Sequence, residues 1–241
     1  MIQKRVLTDL ISKYFLGGAV EKAAWVSKDG IKVNFVNDSK NLAGHISGKG
    51  IEFPEGKFGI YNTSQLNKML GIMDGELLVD VQKSNGIASK FNIQDTNFDL
   101  SFYLADPAVM PKVPQISGME EPNVKFMVNK ELISRFIKSK GALSEHAVFT
   151  VATEDGFTCR ELVFTLGGKT TNQIMFKVEV PDNSNLEQMP FDAELFKEIL
   201  KANKDCDTGE ISVYSKGMMI SKFTEGDVTS KYYLIRQQEY N

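Results

Sequence analysis

Cysteine, histidine and tryptophan are scarce in this chain: two, two and one among 241 residues. No CxxC or HxxxH spacing links Cys159, Cys206, His45 and His146, so neither a zinc site nor a disulfide framework is expected. No apolar run reaches the roughly 18 residues that a membrane span needs. The opening stretch, MIQKRVLTDLISKYF, mixes apolar and basic residues. Asp9 and Lys13 interrupt it and no small-residue cleavage site follows, so it is not expected to be a signal peptide, and the chain is expected in the cytosol. An excess of positive charge is missing too: the net charge is −3. Nucleic-acid binders are usually basic overall. Any DNA contact must therefore come from basic residues segregated onto one surface.

Reactive motifs are also absent. There is no GxSxG, HExxH or EF-hand loop. LGGKTT, residues 166–171, resembles the end of a phosphate-binding loop, but Val163 stands where the motif needs glycine, and strand-like runs flank it on both sides. Glu120-Glu121 reads as a solvated acidic loop. Asn62-Thr63-Ser64 has the glycosylation pattern but reads as a helix cap. No catalytic residue, metal or cofactor is expected, and the chain is not expected to be an enzyme.

What is present is a duplicated pattern. VLTDLISKYF from Val6 and LISRFIKSKG from Leu132 coincide at a shift of 126: Val6, Leu7, Leu10 and Ile11 fall on Leu132, Ile133, Phe136 and Ile137. Both sets have the spacing of one helical stripe. The same shift lays Asp29-Gly30 on Asp155-Gly156, each between strand-like runs, a hairpin signal. Later, YNTSQLNKML from Tyr61 matches FDAELFKEIL from Phe191 at a shift of 130, with Asn62 and Asp192 as N-caps. Three strand-like runs follow each of these helices. The expected fold is α+β: two similar domains, each with two helices packed on one face of antiparallel sheets. Pro107, Pro111, Pro114 and Pro122 are four of the chain's seven prolines. They mark an extended connector, because proline lacks an N–H and restricts its predecessor. The expected boundaries are 1–106, a connector at 107–122, and 123–241.

Charge follows the helices. The four helical segments together carry +6, which leaves −9 for the rest of the chain. At 100° per residue, basic side chains lie off the apolar stripes. Arg5, Lys13, Lys68, Lys130, Arg135, Lys138, Lys197 and Lys201 are the candidates for an outward, basic surface. Lysine and arginine in such a setting contact phosphates without reading bases.

Three stretches carry a family resemblance: FVNDSKNLAGHIS with FGIYNTSQLNKML, residues 35–47 and 58–70, and SFYLADPAVMPKVP, residues 101–114. In order, they are similar to the DNA sliding clamp of T4-type bacteriophages. The tail KYYLIRQQEYN, residues 231–241, resembles the last strand of eukaryotic and archaeal clamps, departing from them after Leu234. The resemblance implies a head-to-tail homotrimeric ring around double-stranded DNA that acts as a processivity factor in DNA replication. It also implies a replicative DNA polymerase and an ATP-dependent clamp loader as partners, use by late-transcription factors, and a location in the infected host's cytoplasm. By position, the subunit joint would set Leu100, Phe102 and Leu104 against Ile174, Phe176 and Val178. A partner-peptide pocket would use Leu42, Val113, Tyr233 and Ile235. Two other readings are a duplicated interaction scaffold, such as a virion or accessory protein that never encloses DNA, and an enzyme with a cleft between its domains.

Overall fold

Why the chain breaks into repeated units is visible in its element order. The computed structural model describes residues 1–114, 120–168 and 170–238. The first half runs β1 (Ile2–Gln3), α1 (Lys4–Phe15), β2 (Ala23–Ser27), β3 (Gly30–Val36), β4 (Leu42–Lys49), β5 (Gly56–Ile60), α2 (Thr63–Gly71), β6 (Glu76–Ser84), β7 (Ile87–Gln94) and β8 (Asp99–Tyr103). The second repeats it: β9 (Val124–Val128), α3 (Lys130–Ala142), β10 (Val148–Asp155), β11 (Arg160–Gly167), β12 (Gln173–Val180), β13 (Met189–Asp192), α4 (Ala193–Ala202), β14 (Thr208–Tyr214), β15 (Met218–Glu225) and β16 (Val228–Ile235). Two compact units result: Met1–Pro114 with Asp227–Ser230, and Gln115–Gly226 with Lys231–Asn241. The architecture is α+β, with four helices and antiparallel sheets.

In the first unit, β1, β6, β7 and β8 form one four-stranded sheet, and β5, β2, β3 and β4 lie side by side in that order. In the second, β12, β11, β10 and β13 form one sheet, and β16, β15, β14 and β9 follow one another. Alternation sets which face each strand buries: Ala23, Trp25 and Ser27 on β2, and Ile31, Val33 and Phe35 on β3, all point inward. Onto these faces α1 lays Leu7, Leu10, Ile11 and Tyr14. Val6, counted in that stripe from the sequence, is exposed, and the stripe instead runs one turn further to Tyr14. Tyr14 meets Trp25 edge-on at 6.1 Å, and Phe58 and Phe91 pack at 5.0 Å. Burial pushes the Tyr14 phenol well above its usual pKa, against a hydrogen bond from Thr63. In the second unit Phe136 of α3 sits edge-on to Phe149 and Phe196 at 4.9 and 4.7 Å. Such pairs add about 0.5–1.5 kcal/mol each beyond area burial.

The caps follow the residue types. The side chains of Asn62, Asn129 and Asp192 accept hydrogen bonds from the backbone N–H groups of Gln65, Leu132 and Leu195. At the start of the connector, Asp106 accepts from Ala108 N over a single 3₁₀ turn, Pro107–Val109. Met110 is buried there, beside Gly59, where a Cβ would collide with the Ala105 carbonyl at 2.5 Å. Residues 115–119 of the expected connector lie outside the described residues. LGGKTT closes β11 at Gly167 and leads into β12, a strand and not a helix, and its Lys169 also lies outside the described residues.

Candidate nucleic-acid interface

Whether a lysine offers free charge depends on its surroundings as much as on its helical phase. Lys13 is 4% exposed. It is therefore corrected out of the outward basic set: its position beside Tyr14 takes the aliphatic stem into the core. Lys4, at the start of α1, donates to the Gly71 and Met73 carbonyls and caps the end of α2. Arg5 is exposed and pairs with Asp9 at 3.4 Å, one turn on. Lys68 on α2 is exposed.

On α3, Lys130, Arg135 and Lys138 are all exposed, and Arg135 pairs with Glu131 at 2.5 Å. Lys140, at the end of the same helix, is buried; its ammonium donates to the Ser144 carbonyl at 2.7 Å and faces Glu194 at 3.6 Å. On α4, Lys197 is half-buried between Glu194 and Glu198. Burial disfavours its charge, but hydrogen bonds and attraction from both carboxylates outweigh this and hold the ammonium above the usual lysine pKa. The hydrogen bond from Lys197 in turn holds Glu194 below the usual carboxylate range. Lys201 is exposed and faces Glu198 at 3.5 Å. Among the described residues, Lys68, Lys130 and Lys138 are thus the outward helix cations without a carboxylate within 4 Å.

The strand edges are equally specific. β8 ends its sheet in the first unit and β12 ends its sheet in the second. Leu104 N donates to Ser89 O at 2.9 Å, so the even-numbered N–H groups of β8 face β7. Those of Ser101 and Tyr103 therefore point out from the free edge. Leu100 and Phe102 are buried within their own unit and Leu104 is half-buried. On β12, Ile174, Phe176 and Val178 are half-buried, and Phe176 and Val178 line a groove of about 780 Å³ together with Phe126, Leu132 and Arg135. Lys177, on the opposite face of that strand, is held above the usual lysine pKa by its hydrogen bond to Glu161.

Of the four residues assigned to a peptide pocket, Leu42 is 0% exposed in the first unit, which corrects that assignment: it is core and offers no anchor surface. Val113 is half-buried. In the second unit Tyr233 is buried with Lys231 over its ring at 5.0 Å, and Ile235 is exposed. Among the described residues no three His, Cys, Asp or Glu side chains gather into a metal site, and no helix is long and apolar enough to cross a membrane. One feature escaped the sequence reading: Phe157, at the tip of the β10–β11 hairpin, is fully exposed.

The repeated units, four helices and antiparallel sheets make an α+β fold that solved structures share. Two of them match along nearly the whole chain. The proliferating cell nuclear antigen (PCNA) of Entamoeba histolytica matches with a TM-score of 0.74 at 15% identity, over 98% of this chain and 96% of that one. PCNA of A. fulgidus, solved with the C-terminal region of FEN-1 bound to it, matches with a TM-score of 0.76 at 15% identity, over 100% and 98%. No protein-family model and no curated protein sequence matches the chain.

Proposed function

We propose that this protein is a DNA polymerase sliding clamp: a homotrimer closed head to tail around duplex DNA that tethers the replicative polymerase. The observation that carries the reading is the likeness to two PCNA structures across 96% or more of each chain. The edges support it. Head-to-tail pairing of β8 with β12 of the next copy would satisfy the outward N–H groups of Ser101 and Tyr103 and cover the half-buried Ile174, Phe176 and Val178. The exposed helix cations support non-sequence-specific phosphate contact. Topological linkage would supply processivity, so each contact stays weak enough to slide.

Within that reading the protein itself catalyses nothing. An ATP-dependent clamp loader opens the ring, and partner peptides dock beside Ile235. The likeness of residues 35–114 to the T4-type clamps extends the proposal to a phage protein of the infected cell's cytoplasm that also serves late transcription. The test is particle shape with activity. Electron microscopy of the purified chain is expected to show a ring with a central opening. Polymerase runs on primed circular DNA are expected to lengthen when chain and loader are added together. A stable monomer at every concentration, with no effect on run length, would return the chain to the class of duplicated scaffolds.

A further inference from the structure

The second unit carries an arm that the first lacks. Val151 pairs with Met189 as Trp25 pairs with Phe58, which aligns β10 with β2. In the first unit Ser27 pairs with Ile31 across residues 28–30. In the second, pairing continues past Thr153–Leu162 through Glu154–Glu161 to Asp155–Arg160 before the chain turns. Eight residues, 154–161, therefore stand where the first unit has three. This extension is one residue longer than the change of four in repeat shift between the first and second helices, so the second unit is one residue shorter elsewhere before α4.

The arm is built, not slack. The Arg160 guanidinium pairs with Asp155, and Arg160 N donates to Asp182 Oδ1 at 3.3 Å. Gly156 N donates to Cys159 O at 3.0 Å, and a Cβ on Gly156 would meet that carbonyl at 2.5 Å. Held out at the tip is Phe157, fully exposed to solvent among the described residues. An ordered stem that presents a solvated aromatic has already met the ordering cost of binding.

Its position names the occupant. Arg160 pairs with Val180, the last residue of the free edge β12. Phe157 is three residues from Arg160, within about 10 Å of chain. Suppose the inward rows of two copies are matched antiparallel. Leu104 then faces Ile174, Phe102 faces Phe176, Leu100 faces Val178, and Phe98 faces Val180. Phe98 is 43% exposed. It is fixed in place by Asp95, whose carboxylate accepts the N–H groups of Asn97 and Phe98 at 2.7 Å each. We infer that Phe157 of one copy packs on Phe98 of the next, an aromatic latch closing the end of each strand joint. The inference rests on the head-to-tail reading above.

The test is sedimentation equilibrium of the full chain with Phe157→Ser, Phe98→Ala and both together. Phe157 is fully exposed in its own chain, so Phe157→Ser is expected to leave the fold intact. Each single change is expected to raise the dissociation constant of self-association about tenfold or more. The double variant is expected to be little worse than either single one, because both remove the same contact. If the wild type assembles and Phe157→Ser assembles equally well, the latch is wrong and the ring stands. Losses that simply multiply in the double variant would also overturn the pairing. If the wild type stays monomeric throughout, the ring reading itself fails and takes the latch with it.

Discussion

Replacing Lys138 by glutamine, and separately Lys197 by glutamine, sets an exposed cation against a half-buried one on the same surface type. Lys138 is exposed on α3 with no carboxylate within 4 Å among the described residues, whereas Lys197 is held by Glu194 and Glu198. Each phosphate that a lysine neutralises contributes about −0.9 to the slope of log affinity against log salt. Losing one such contact changes affinity about 3.5-fold less across a fourfold change in salt. Lys138→Gln is therefore expected to flatten the slope by about 0.9 for every copy whose α3 touches the duplex. Lys197→Gln is expected to leave the slope nearly unchanged, because its charge is already spent on two carboxylates. Glutamine is close to lysine in helix propensity, and an exposed change of this kind shifts stability by less than about 0.5 kcal/mol. The assay is fluorescence anisotropy of a labelled short duplex titrated at several salt concentrations, with thermal melts as the control. Coincident slopes for wild type and Lys138→Gln would refute the reasoning, as would an equal loss in Lys197→Gln.

Three further outcomes follow from the geometry. Ser101→Pro removes an N–H that points out from β8 and leaves the bonds to β7 in place, so self-association measured by native mass spectrometry should fall while circular dichroism stays native. Phe136→Ala empties the centre of the second unit's aromatic cluster, where Phe149 and Phe196 lie within 5 Å, and should cost about 3–5 kcal/mol in urea unfolding. Asp95 is held below the usual carboxylate pKa by backbone N–H groups of Asn97, Asp74 and Phe98. Its contribution to stability is complete above the ordinary aspartate range, about pH 4, and is lost as pH falls through the depressed value. Asp95→Asn should therefore melt below wild type at neutral pH and converge with it in acid.

The sequence carried the repeat plainly because helix periodicity and caps are local properties: the periodicity survives in α1 with α3, and both survive in α2 with α4. Short strands were harder. β9 alternates buried Val124, Phe126 and Val128 with exposed neighbours, a readable signal that the adjacent prolines obscured. The drift of the repeat announced an insertion, but only the pairing of Asp155 with Arg160 places it in one hairpin. Leu42 has the composition of a surface anchor and the burial of a core residue, a distinction that no one-dimensional pattern contains.

The most instructive divergence is in charge. Counting side chains along the four helices suggested a surplus of six. The structure dismantles most of it locally: Lys13 and Lys140 are buried, Lys4 caps α2, Arg5 and Arg135 pair within their own helices, and Lys197 and Lys201 share Glu198 and its neighbour. Among the described residues, what stays unpartnered by acid on the outward faces is Lys68 on the first unit and Lys130 with Lys138 on the second. A surface that bound tightly would keep its cations free, and one that must travel along phosphates needs only a few. If the ring reading holds, three weak cations per copy give an enclosed duplex enough attraction to stay centred and too little to stall.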